Sequence, residues 1–191
     1  MKKVLAINCC FREESRTKRI YTPVINCLET KYSVEEIDLS TVDCQPADRQ
    51  MLKDRENGIV PDEMVMYASK IASADIIVIA APFWDMSFPA KLKVFFENTS
   101  LFNVTFTDNG TNCTGLCKCQ HLIYITTRGM DISVGDALEQ ATPYLKALSW
   151  LWNLGEIHVI DAQNLDYSSE ETIDEKIDAA IKKGLELCEK L

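Results

Sequence analysis

Short apolar runs alternate along the chain with segments whose apolar residues recur at helical spacing. Lys3 to Asn8 is an apolar run closed by polar residues and predicts a first strand. From Ser15 to Glu29, Ile20, Val24, Ile25 and Leu28 recur at the spacing of one helical face, with Pro23 as a bend. Tyr32 to Leu39 alternates as a strand does. Thr41 to Gly58 is polar and patternless and reads as a long loop. Pro61 opens a helix through Ser73, with Met64, Ala68 and Ile71 on one face. Asp75 to Ala81 is apolar on both faces, the pattern of a central parallel strand, and Pro82 stops it. Ser87-Phe88-Pro89 begins a helix to Asn98, and Asn103 to Gly115 reads as an irregular excursion. His121 to Thr127 is another buried strand. Thr142 followed by Pro143 predicts an N-cap and first helical position, with Gly155 ending that helix. Glu156 to Asp161 is the last strand. Ser168 and Glu171 read as a capping box for a terminal helix carrying Ile173, Ile177, Ile181 and Cys188.

Five strands alternating with helices imply an α/β fold, a parallel sheet covered by helices on both faces. In such sheets ligands bind at the carboxyl ends of the strands, beside the switch in strand order. Residues 9–17, 82–87 and 127–131 occupy those ends.

The 191 residues fit one domain spanning 1–191. No apolar run reaches the roughly 18 residues that span a bilayer, and Val4 to Ile7 is too short for a signal-peptide core. The chain therefore reads as cytoplasmic, without a membrane partner. A formal net charge of −9 and scattered Lys and Arg argue against nucleic acid. Eight cysteines in a chain with an ordinary core do not call for disulfides.

The first loop, Cys9 to Thr17, contains no glycine, and the first glycine of the chain is Gly58. That excludes a GxGxxG turn and a Walker A loop, which need close backbone approach. Ser15 and Thr17 offer hydroxyls, Arg12 and Arg16 offer charge, and the helix start offers free N–H groups, so a phosphate fits here. Ser15 as a plain N-cap is the other reading. In the second loop, Pro82 fixes the turn, while Phe83 and Trp84 suit either a flat ligand or the closing of the core. In the third, Arg128 places positive charge beside Gly129, whose backbone is permissive. Each loop alone is ambiguous; together they share one end of the sheet.

These stretches carry a family resemblance. ADIIVIAAPFWDMSFPAKLKVFFEN resembles the strand, A-P-x-[YW]-N turn and proline-started helix of FMN-dependent NADH azoreductases and related NAD(P)H quinone oxidoreductases. ITTRG is similar to that family's T-[ST]-R-G-G loop, ATPYLKALSWLWNLGEIHVIDAQNLD to its T-P-Y-L helix and last strand, and Ser15-Arg16-Thr17 to its S-x-[ST] phosphate contact. The likeness covers most of the chain outside about residues 40–60 and 107–119. It implies a flavodoxin-like three-layer sandwich with a five-stranded parallel sheet in the order 2-1-3-4-5. It also implies FMN, with Cys10, Ser15, Arg16 and Thr17 around the phosphate. Pro82, Phe83, Trp84, Asp85 and Met86 would line the ribityl chain and ring, and Thr127, Arg128, Gly129 and Met130 would lie near the ring. Hydride would pass from NADH or NADPH through the flavin to a quinone, azo or nitroaromatic acceptor in a ping-pong sequence. No protein nucleophile is required, and Arg128 is the candidate for tuning the flavin. The family works as homodimers, which suits the apolar helix Tyr144 to Leu154. Three positions depart from the pattern: Cys10 stands for a hydroxyl residue, Asp85 for Asn, and Met130 for a second glycine.

Two other readings are weighed. A flavodoxin-type electron carrier suits the acidic charge but lacks that group's T-x-T-G-x-T loop. An iron–sulfur or metal site at Cys113, Cys117 and Cys119 lacks a fourth local cysteine, so no metal is expected. His121 and His158 read as packed strand residues, and Trp150 and Trp152 as core or interface.

Overall fold

The computed structural model describes residues 1–191. Strand β1 is Lys3–Asn8, β2 Ser33–Asp38, β3 Ile76–Ala80, β4 Phe106–Asp108, β5 Cys113–Gly115, β6 His121–Thr127 and β7 Glu156–Ala162. Helices are α1 Arg16–Glu29, α2 Arg49–Glu56, α3 Asp62–Ser73, α4 Ala90–Thr99, α5 Ala141–Trp152 and α6 Glu170–Lys190. Five strands pair in parallel as β2-β1-β3-β6-β7. Renumbered without the small β4–β5 hairpin, that is the expected order 2-1-3-4-5. No helix is long and apolar enough to cross a membrane.

The period of two along each strand divides the interior into two cores. Leu5, Ile7, Ile77, Ile79, Leu122 and Tyr124 point to one face and pack with α3, α4 and α5 in a cluster of 28 buried residues. Val4, Ala6, Ile76, Val78, Ile123 and Ile125 point to the other and pack with α1 and α6 in a cluster of 19. Helices α1 and α6 approach closely because Gly184 has no side chain; a Cβ there would sit 2.5 Å from Val24 Cγ2.

Four local expectations are corrected. The polar stretch 41–58 contains α2, capped by the Asp48 carboxylate, which accepts from Met51 N at 2.8 Å. None of its residues is buried, so it leaves no apolar period to read. The excursion 103–115 contains the antiparallel hairpin β4–β5. Thr142 lies inside α5, whose start is held by Glu139 Oε1 accepting from the amides of Ala141 and Thr142 at 3.0 and 2.9 Å. The cap of α6 is Ser169 rather than Ser168, whose hydroxyl donates to Asn164 O at 2.6 Å.

Candidate functional site

A cleft of about 360 Å³ opens at the carboxyl ends of β1, β3 and β6, where β1 gives way to β3 and the strand order reverses. One wall is the loop into α1. Ser15 caps that helix, its Oγ accepting from Lys18 N at 3.2 Å. The amides of Arg16 and Thr17 precede the first intrahelical bond, Arg19 N to Ser15 O, and have no acceptor within the protein. Such a helix start carries partial positive charge and free donors. Thr17 is fully buried and shares a 2.7 Å hydroxyl bond with Thr127 at the end of β6, so the helix start is fixed to the sheet.

The opposite wall is Pro82, Phe83 and Trp84. Phe83 N donates to Thr127 O at 3.0 Å, which ties this loop to the third. The Trp84 ring stands 6.4 Å from Phe11, and the Arg12 guanidinium lies 5.3 Å over its face. Trp84 and Ser87 exchange backbone bonds of 2.7 and 2.9 Å across Asp85 and Met86, both at positive φ (48° and 67°). This is the geometry of a type I′ turn, which favours Asn and Gly and strains a methionine. The turn is anchored by Gln140 N donating to Met86 O at 2.9 Å.

At the floor, Gly129 allows Asp166 to come close: a Cβ at Gly129 would lie 1.9 Å from Asp166 Oδ2. Asp166 accepts from Arg16 Nη1 at 2.7 Å across the cleft.

The structure thus brings Ser15, Arg16, Thr17, Pro82, Phe83, Trp84, Thr127 and Gly129 to one cleft. Cys10 stands behind it, with its amide on Asn8 Oδ1 and its thiol toward Ala80 O; burial raises the thiol to about 11. Asp85, Met86 and Met130 are exposed outside the cleft wall. Arg128 departs most from expectation. It is fully buried, donates to Asp161 Oδ2 at 2.8 Å and Ile132 O at 3.2 Å, and sits 5.4 Å from the Phe83 ring centre. Both bonds come from Nη1, while Nε and Nη2 are buried without a partner, and Arg128 is absent from the cleft lining. Phe11, Arg12 and Glu14 belong to the lining through their loop, and Asp166, the last residue of the quoted stretch after β7, is a lining residue to which no motif gave a role. A larger depression of about 690 Å³, between the end of β7 and α6, has polar side chains such as Lys176, Lys183 and Gln163 but no aromatic ring.

Cys113, Cys117 and Cys119 do not converge. Their thiols face Asp108 Oδ2, Thr105 O and His121 O respectively. Trp152 is core and Trp150 is 75 % exposed.

The model of the Flavodoxin_2 family, described as having a flavodoxin-like fold, matches residues 2–186. The chain belongs to that family. Among its relatives, an FMN-dependent NADH:quinone oxidoreductase of Clostridium perfringens is 28 % identical over 201 aligned positions covering all of both chains. A protein of the same name from Coprothermobacter proteolyticus is 27 % identical over 98 % of each chain. Solved structures share the fold: a Bacillus anthracis azoreductase superposes with a TM-score of 0.86 at 17 % identity over all of both chains. An FMN-dependent NADH-azoreductase from the same species, in complex with FMN, gives 0.81 at 20 % identity over 100 % of this chain and 99 % of the other. In this flavodoxin-family protein the cleft lies where the fold places ligands, at the switch point of the sheet.

Proposed function

We propose that the chain is an FMN-dependent oxidoreductase, acting as one domain, that takes electrons from NADH or NADPH and delivers them to a quinone, azo or nitroaromatic acceptor. The observation that carries this reading is the cleft itself. Free amides and hydroxyls of a helix start face an aromatic shelf across about 360 Å³, a donor set that fits an anionic group joined to a flat ring. The names of the full-length relatives support the same reading.

Bound FMN would supply the two-electron chemistry between the nicotinamide and the acceptor. The amides of Arg16 and Thr17, with the hydroxyl of Ser15, would hold the phosphate, while the Thr17 hydroxyl stays on Thr127 and fixes the helix start. Trp84, braced by Phe11 and Arg12, would border the ring and keep water from it. Thr127 and Gly129 would let the third loop approach at backbone distance. Phe83, backed by the buried Arg128–Asp161 pair, keeps the shelf in place. Arg128 is in this reading a positioning residue.

A homodimer is part of the proposal: Trp150 on α5, with Leu138 just before the helix, leaves apolar surface outside the core. So is a cytoplasmic setting, since all eight cysteines are free thiols.

The test is an anaerobic titration. Purified protein reconstituted with FMN should quench flavin fluorescence at one equivalent per chain. NADH should then bleach the flavin absorbance, and a quinone should restore it. Failure to bind FMN overturns the proposal. Binding without bleaching by either nicotinamide replaces it with an electron-carrier function.

A further inference from the structure

The amino ends of β6 and β7 lie at the other end of the sheet from the cleft, about 20 Å away along the seven residues of β6. There β6 begins with His121 and β7 with Glu156, paired side by side, and His158 pairs with Ile123. Because paired and alternate residues share a face, all three side chains project to the same side. His121 Nδ1 lies 3.1 Å from His158 Nε2, and the rings are 5.3 Å apart at 34°. Glu156 Oε2 lies 3.7 Å from His158 Nε2, and the three donor atoms fall within 4.8 Å of one another.

A tetrahedral ion with bonds of about 2.0–2.1 Å spaces its ligands roughly 3.3 Å apart. The histidine pair is already near that separation. The Glu156 side chain, 70 % exposed, is free to close the remaining distance, while His158 is only 20 % exposed and held by the strand. Two imidazoles and one carboxylate form the donor set of zinc-like ions; magnesium and calcium prefer oxygen alone.

We propose that His121, Glu156 and His158 form a binding site for a zinc-class divalent ion, with water completing the shell. A hydrogen bond between the imidazoles accounts for their 3.1 Å approach, and the strand register sets the carboxylate beside them, so all three donors are in place for one ion. The ion ties edge strand β7 to β6 and sits too far from the cleft to touch a reacting atom, so its effect is on the sheet rather than on electron transfer. Lys183 and Lys190 border His158 and weaken the site.

The test uses the full chain with any affinity tag removed and Zn²⁺ in competition with a chromophoric chelator. One equivalent should bind, Zn²⁺ should raise the melting temperature, and Co²⁺ should give the visible spectrum of a tetrahedral site. Each of His121→Gln, Glu156→Gln and His158→Gln should weaken Zn²⁺ at least tenfold. Glu156→Gln alters an exposed side chain, and circular dichroism checks that it folds. Cys113→Ser, which removes the exposed thiol, should bind as before. Absence of a saturable equivalent overturns the proposal. So does undiminished affinity in Glu156→Gln, or loss of binding in Cys113→Ser.

Discussion

At the scale of single residues, the cleft depends on a few side chains that fix backbone. Ser15→Ala removes the cap of α1 and should cost about 1 kcal/mol of stability, measured by urea denaturation. If the helix start holds phosphate, the same variant should also raise the FMN dissociation constant. Met86 occupies a left-handed position that glycine adopts freely. Met86→Gly should therefore raise stability by roughly 0.5–1 kcal/mol, the strain relieved less the greater freedom of glycine in the unfolded chain. A lower denaturation midpoint would show that the methionine makes contacts that outweigh its strain. Arg128→Ala should destabilise by about 3 kcal/mol, because it leaves Asp161 without its buried partner. Lys183, 3.7 Å from the other Asp161 oxygen and more exposed, replaces little of that charge.

At the scale of elements, the strands and most helices were legible because burial imposes a period, and each missed element lacks one. Helix α2 buries nothing, and β4 and β5 are three residues each, too short for alternation to register. Capping was misread where two hydroxyls are neighbours, as at Ser168 and Ser169, since the sequence does not say which one the turn frees. The candidate site was legible where loops follow buried strands. It was not legible at Asp166, whose place comes from the chain passing over Gly129 after β7. The directions of Cys10, Asp85, Met86, Arg128 and Met130 also follow from three-dimensional packing that no motif encodes. The same packing makes Gly184 sensitive. Gly184→Val would force its side chain against Val24 and Ile160 and should cost about 1–3 kcal/mol through separation of α1 from α6, measured by thermal or urea unfolding.

For the whole molecule, the net charge of −9 opposes any anionic ligand approaching from solution. The cleft does little to offset this, since Arg12 and Arg16 are matched by Glu14 and Asp166. Raising the salt from about 20 to 200 mM shortens the screening length and should speed FMN association about two-fold or more in stopped flow. A rate that falls with salt would mean that the two arginines dominate the field seen by the ligand.

The ion pair between Arg16 and Asp166 bears on how the cleft exchanges its contents. Both side chains are partly open to solvent, so the bond contributes at most about 1 kcal/mol. An anionic group drawn to the Arg16 guanidinium would have to displace the Asp166 carboxylate, which stays within reach to take the guanidinium back. On the proposed function the protein would carry its own weak displacing anion, one that lowers the affinity for any phosphate that pairs with Arg16.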